Sequence, residues 1–282
     1  MPMEPILKRQ PVRRVSRLAL CCAFALMVII STPAWADFDA GWEAYQQGDF
    51  SGALKEWRPL ADAGDARAQF NLGLMYDEGR GVAQDTALAM DWWARAAEGG
   101  NHRAMHNMGL AYIGGLGVER DYHKAVEWLQ RAADAGSIRS QYSLGKMHFY
   151  GYGVDADAEQ AFHWILMAAE QGFDKAQYNV GKMYRDGEGV DEDMVAAAHW
   201  FLMAADQGYA KAQNHIGLRL ASGNGIAKDE TRALMYLILA AQKGLASAIQ
   251  NVADLSARLS SEAIVEAEEM ARNWQPQPSG GG

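Results

Sequence analysis

The chain has 282 residues, of which 49% are hydrophobic and 22% charged, a balance that excludes collagenous, low-complexity and wholly disordered classes. Its 26 Lys and Arg against 35 Asp and Glu give a formal charge of −9, which excludes a nucleic-acid binder built on a net basic surface. Gly at 29 beside Pro at 7 is an unusual pairing, because loops normally enrich both, and it directs attention to regularly placed glycines.

In chain order, the first predicted element is an export signal over residues 1–36. Lys8, Arg9, Arg13, Arg14 and Arg17 form a basic leader, Leu18 to Ile30 is an unbroken apolar run of 13 residues, and Ala34-Trp35-Ala36 has the small-x-small pattern a signal peptidase accepts. The run is shorter than the roughly 20 residues of a membrane span, so cleavage after Ala36 is expected rather than retention as an anchor helix. Ser16 stands where a twin-arginine signal wants an apolar residue, and Cys21 follows Leu20 inside the apolar run, which disfavours a lipoprotein signal. Cys21 and Cys22 are the only cysteines, so the mature chain would hold no disulfide, no thiol nucleophile and no cysteine-type zinc site. Loss of five bases and one acid leaves 21 against 34, a charge of −13. The expectation is an acidic export, periplasmic in a bacterium, with no stable membrane insertion.

Residues 37–65 read as an N-terminal cap repeat: they keep Ala53, Trp57 and Gly64 at positions that recur downstream but join their two helices through the short polar link Gln47-Gly48-Asp49-Phe50. Residues 66–245 then repeat with a period of 36. Gly73, Gly109, Gly145, Gly181 and Gly217 are in register, as are Asp85, Asp121, Asp157, Asp193 and Asp229, the Ala-Ala pairs from Ala96-Ala97 onward, and Gly100, Gly136, Gly172, Gly208 and Gly244. In each unit the apolar spacing predicts a helix A, a glycine turn such as Gly79-Arg80-Gly81-Val82, a helix B capped by the aspartate, and a left-handed glycine stop. A glycine inside helix A costs about 1 kcal/mol against alanine, so its recurrence implies close approach to helix B. Trp92, Trp128, Trp164, Trp200 and Tyr236 are expected to fill the wider gap between units as core. Residues 246–274 read as C-terminal capping helices, with Ala253 where the repeats have glycine, and residues 275–282 as a flexible tail. Such units must stack to bury both faces, which predicts an all-α superhelical solenoid of antiparallel helix pairs.

Ala68-Gln69-Phe70-Asn71-Leu72-Gly73, with Tyr76, Gly79, Gly81-Val82, Asp85, Ala89, Trp92 and Ala96-Ala97, resembles the Sel-one-like repeat (SLR), a relative of the tetratricopeptide repeat. Five full units carry the resemblance. It implies a non-enzymatic scaffold, without cofactor, that binds proteins or peptides, often in bacterial envelope, signalling or quality-control settings. Cysteine-rich members pair one disulfide per repeat; this chain cannot, and their penicillin-binding and weak β-lactamase activities are not carried over.

On a helical wheel, residues 68, 69, 72, 73 and 76 face neighbouring helices, leaving 67, 70, 74 and 77 on the side that lines the concave groove in the tetratricopeptide fold. Down the repeats the first slot reads Arg67, Arg103, Arg139, Lys175 and Lys211, a cation row in an acidic chain. The second slot contributes Phe70, His106, Tyr142, Tyr178 and Asn214, the third Lys146 and Lys182. A polar row of Asn71, Asn107, Ser143, Asn179, His215 and Asn251 resembles the backbone-holding asparagines of peptide grooves. The reading is therefore an adaptor for an extended or acidic protein segment. The alternative is an envelope hydrolase or glycan binder, with Tyr142, Phe149, Tyr150 and Tyr178 stacking sugars and Asp77 with Glu78 as candidate carboxylates. Other chemistry is thin. Gly114-Gly115-Leu116-Gly117 is an inter-helix turn rather than a phosphate loop, His102 and His106 lack a third metal ligand, His163 and His199 read as exposed helix-B residues, and the acids from Asp186 to Asp193 lack calcium-loop spacing.

Overall fold

A computed structural model describes residues 36–277, which form fourteen α-helices with no strand among the described residues. The signal expected over residues 1–36 lies, but for Ala36, outside them. α1 (Phe38–Gln46) pairs with α2 (Phe50–Asp62). The five repeats supply α3 (Ala66–Glu78) with α4 (Thr86–Glu98), α5 (His102–Gly114) with α6 (Tyr122–Asp134), α7 (Ile138–Tyr150) with α8 (Ala158–Glu170), α9 (Asp174–Asp186) with α10 (Met194–Asp206), and α11 (Ala210–Ser222) with α12 (Glu230–Gln242). α13 (Ala246–Ser256) and α14 (Ser261–Asn273) end the series. Helices pack chiefly on their sequence neighbours, the nearest-neighbour architecture of an α-solenoid.

The aspartate of each repeat starts helix B by direct capping. Asp85 accepts the Leu88 N–H at 2.9 Å, and Asp121, Asp157, Asp193 and Asp229 do the same for Lys124, Gln160, Ala196 and Arg232. The preceding turn needs two left-handed residues, as at Gly115 and Gly117 with φ of 68° and 69°. Gly117 has a second reason: a Cβ there would stand 2.9 Å from the carbonyl oxygen of Thr86, because this turn lies on the first residue of the preceding repeat's helix B.

The helix-A glycines face a bulky apolar residue of helix B. A Cβ on Gly109 would meet Leu129 Cγ at 2.7 Å; on Gly145, Ile165 Cγ1 at 2.5 Å; on Gly181, Phe201 Cδ1 at 2.9 Å; on Gly217, Leu237 Cγ at 2.8 Å. Gly73 stands against the Trp93 indole in the same way. This moves part of the expected core by one residue. Trp93, Leu129, Ile165, Phe201 and Leu237 are the buried crossing residues, whereas of the predicted series Trp92 and Tyr236 are buried but Trp128, Trp164 and Trp200 are only half-buried at the seams. The exposed rims of these indoles carry cations: Arg95 lies over Trp92 at 4.6 Å and Arg131 over Trp128 at 4.4 Å. Helix A also buries more than the wheel assigns. Met75 is fully enclosed, Asn71 is buried at the seam, and Tyr76 is half-buried.

The cap repeat uses the same crossing. Gly41 packs on the face of Trp57, whose Nε1–H donates to the carbonyl of Phe38 at 3.1 Å, as Trp93 Nε1–H donates to Phe70 at 3.3 Å. The shortened link moves this glycine four residues out of the 36-residue register, which hides it from a periodicity search. At the other end Ala253 replaces the crossing glycine, and α14 packs on α12 through Ala267 and Ala271 instead of pairing closely with α13. The segment expected as a flexible tail is docked as far as it is described: the Gln277 N–H donates to the carbonyl of Asp206 at 2.8 Å, and Trp274 lies beside Gly208 and Lys243.

Gly145→Leu is expected to cost several kcal/mol, because its side chain must displace Ile165 and the Ala161 carbonyl, whereas Asp157→Ala removes one cap for about 1 kcal/mol. Denaturant melts check the order; a larger loss from the cap variant would contradict the crossing.

Candidate functional site

All five residues of the cation row are exposed, one at the second position of each helix A. That is the positive end of the helix dipole, where a base is unfavourable and an anion is welcome. Asp65, Asn101 and Ser137 cap α3, α5 and α7, whereas Phe173, Tyr209 and Leu245 give α9, α11 and α13 no side-chain cap; at α9 Asp174 Oδ1 instead accepts the Lys175 N–H at 2.7 Å, so the starts of α11 and α13 leave amide groups without a side-chain partner. The row is not uniform. Arg67 is bound to Asp65 at 3.1 Å, which together hold its charge, and it lies over the Phe38 ring at 4.2 Å. Arg103, Arg139, Lys175 and Lys211 have no carboxylate within ion-pair distance among the described residues, nor do Lys146 and Lys182 in the third slot.

The polar row is engaged between repeats at three of its six positions. Asn179 Nδ2 donates to Tyr142 Oη at 2.8 Å, Asn251 Nδ2 donates to Asn214 Oδ1 at 2.8 Å, and Tyr178 Oη meets His215 Nε2 at 3.4 Å. His106 Nδ1 shares a 2.8 Å hydrogen bond with Ser140 Oγ in the next helix A. These groups hold successive A helices together, and Asn179 spends one of its two amide N–H donors on Tyr142. Asn107 is half-buried and Asn71 buried, with no hydrogen-bonded side-chain partner among the described residues.

Sequence reasoning missed a second polar ladder. Gln69, Gln141, Gln177 and Gln213 reach back to the carbonyls of Ala61, Ala133, Ala169 and Ala205 at 3.0 to 3.5 Å, closing the last turn of the preceding helix. Gln171 and Gln207 donate in turn to Gln141 and Gln177. The signal was present: at one position of the 36-residue period, on a face otherwise apolar, glutamine stands in four of the five repeats, with Met105 in the other. Of the aromatics expected to stack sugars, Tyr150 and Phe149 join a stack whose other members sequence reasoning did not name: half-buried Tyr122 on exposed Tyr152 at 5.3 Å and Tyr152 on Tyr150 at 5.6 Å, with Phe149 edge-on to Tyr150. Tyr142 and Tyr178, expected beside them, turn inward instead.

Groupings suited to hydrolysis are not assembled by the candidates named. Glu78 is engaged by Arg80 at 2.6 Å, and Asp77 is half-buried. No group of three His, Asp or Glu is placed to hold a metal among the described residues, and no described helix is long and apolar enough to cross a membrane.

Two histidines of this face are held neutral. Burial first, then Arg139 and His102, bring His106 down to about 4; burial, then Arg185, Arg219 and Lys182, do the same for His215, against a small opposing pull from Asp186. The folded pKa lies below the unfolded value of about 6.5, so the unfolded chain takes up protons first. Stability from these sites is therefore complete above about pH 6.5 and is lost as the pH falls toward 4, by about 1–2 kcal/mol for each ring after allowance for partial exposure. Imidazole resonances followed by NMR are expected to titrate near pH 4; midpoints near 6.5 would contradict the burial.

The Sel1 repeat family profile matches residues 66–101, 102–137, 138–173, 174–209 and 210–245. Among solved structures, the chain is 31% identical to c5321, described as a protective antigen of uropathogenic Escherichia coli with an SLR fold, at a TM-score of 0.76 over 83% of this chain and 52% of that one. The chain thus spans about half the length of that antigen. A Sel1 repeat protein from Oxalobacter formigenes matches at 28% identity and a TM-score of 0.73, over 85% of this chain and 100% of that one. No curated protein matches the chain in sequence. Sel1 repeats generally serve as non-catalytic scaffolds for protein interactions. On five consecutive matched units with the glycine crossings in register, the chain belongs to the Sel1 repeat family.

Proposed function

We propose that the protein is an exported adaptor, periplasmic in its bacterium, that holds an acidic protein or peptide segment along the helix-A face. The observation that carries this reading is the row Arg103, Arg139, Lys175 and Lys211: exposed, without ion pairs among the described residues, and repeated on helix starts whose dipoles favour anions, in a chain of formal charge −9. Such a row supplies long-range attraction and register for an extended ligand, while Lys146 and Lys182 add charge about two turns further along α7 and α9. The leader, apolar run and Ala34-Trp35-Ala36 site support export. The glycan or hydrolase alternative has the Tyr122, Tyr152 and Tyr150 stack in its favour but no assembled pair of carboxylates.

The triple variant Arg103→Ala, Arg139→Ala, Lys175→Ala is expected to keep the far-UV spectrum and melting temperature, since all three side chains face solvent. Capture of partners from envelope extract, identified by mass spectrometry, is expected to fall and to lose most of its salt dependence, because exposed charges are screened over about 8–10 Å at physiological ionic strength. Unchanged capture, or an equal loss on reversing Arg131 on helix B, would remove the row from the binding face.

A further inference from the structure

Arg219 occupies the helix-A position that holds Met75, Ala111, Met147 and Met183 in the other repeats, a core position. It is only 7% exposed, yet it has no carboxylate within ion-pair distance among the described residues. Its guanidinium finds the thioether of Met194 at 3.5 and 3.7 Å, the carbonyl of Asn224 at 3.4 Å, and the Phe201 ring at 5.3 Å. A thioether is a weak acceptor and the one carbonyl contact is long, so no strong acceptor engages the guanidinium. Buried charges are ordinarily paired, because desolvating one alone is costly.

The surroundings add positive charge rather than cancel it. Along α9, Tyr178, Lys182 and Arg185 follow one helical stripe; on α11, His215 stands one turn before Arg219. Asp186 is the acid close enough to influence Arg219, and it is already engaged by Arg185 through two bonds of 2.5 and 2.6 Å. The His215 ring lies flat on Phe201 at 4.9 Å and meets Tyr178, which fixes its place beside the cations. Burial and the neighbouring Arg185 both work against the charge on Arg219.

We infer that α9 and α11 form a binding site for a carboxylate group of a bound protein segment, centred on Arg219 with Arg185, Lys182 and His215 around it. A planar guanidinium fork matches a carboxylate in two-pronged fashion, and the low-dielectric setting of Arg219 strengthens that pairing. The site adds to the proposed adaptor role a fixed anchoring point between the fourth and fifth repeats, and it lies outside the residues of the cation row. Its test is separable from the triple variant: loss of the row's effect leaves this site intact, and loss of this site leaves the row.

The test uses the full chain at low salt, the probes acetyl-tetraglutamate amide, acetyl-tetraglycine with a free C-terminus, and inorganic phosphate, with arginine Nε–H resonances and calorimetry as readouts. The glutamate probe is expected to shift Arg219 and Arg185, and Arg219→Met to weaken it at least tenfold, about 1.4 kcal/mol. Arg219→Met restores the residue of Met183, so the variant is expected to fold with a melting temperature no lower than the parent. A shift from tetraglycine alone would support the site with a chain terminus as the source of the carboxylate. Equal affinity in Arg219→Met, no Arg219 shift with either peptide, or a response to phosphate only would overturn it.

Discussion

A helix that carries glycine where its partner carries a bulky apolar side chain can seat that side chain against its own backbone, and this contact sets the rest of the molecule. At Gly145 the missing Cβ leaves room for Ile165 and for the Ala161 carbonyl, and the same geometry recurs from Gly41 on Trp57 to Gly217 on Leu237. Once that seat is fixed, so is the rotation of helix A about its axis. The positions of residues 67 and 74 then turn outward and those of 68, 72 and 75 inward, with the position of 70 half-buried at the boundary. Where Ala253 breaks the rule, helix pairing changes with it, and α14 goes to α12.

Contacts between repeats add polar links to the apolar packing they share with contacts within them. Inside a unit the seam is apolar; between units a glutamine ladder closes helix ends and side chains such as Asn179 with Tyr142 join successive A helices. Each polar link supplies about 0.5–1.5 kcal/mol net, and removing one partner leaves a buried group unsatisfied at greater cost. The ladder ends where Lys243 takes the place of Gln171 and Gln207: it turns to the Gly208 carbonyl, and Gln213 Oε1 is left buried without a partner. The fifth repeat thus departs from the third and fourth at two polar positions, this one and Arg219.

Period, helix ends and the Sel1 resemblance were legible because glycine and aspartate have few other reasons to recur at 36 residues: a left-handed turn and an N-cap each accept few residue types. The identity of the crossing residue was less legible. Trp92 and Trp93 are adjacent in the first repeat, and the tryptophan column is the more regular, but Leu129, Ile165, Phe201 and Leu237 do the packing because any bulky apolar side chain fits against a glycine. Regularity there marks the half-exposed seam, where cations lie over indoles. The cation row was visible as a pattern; its pairing state was not, since Arg67 and Arg103 look alike until Asp65 is placed. Arg219 escaped for the opposite reason, because a single departure from a column of Met and Ala carries no period.

A double-mutant cycle on Gly109→Ala and Leu129→Ala tests the crossing most directly. Glycine to alanine in a helix interior is favourable by about 1 kcal/mol on propensity alone, so any loss measures the clash. The expected result is that Gly109→Ala destabilises the parent but is tolerated or stabilising when Leu129 is already Ala, with a coupling energy above about 1 kcal/mol, since the atoms nearest the new methyl at 2.7 and 2.9 Å belong to Leu129. Additive effects of the two substitutions would contradict it.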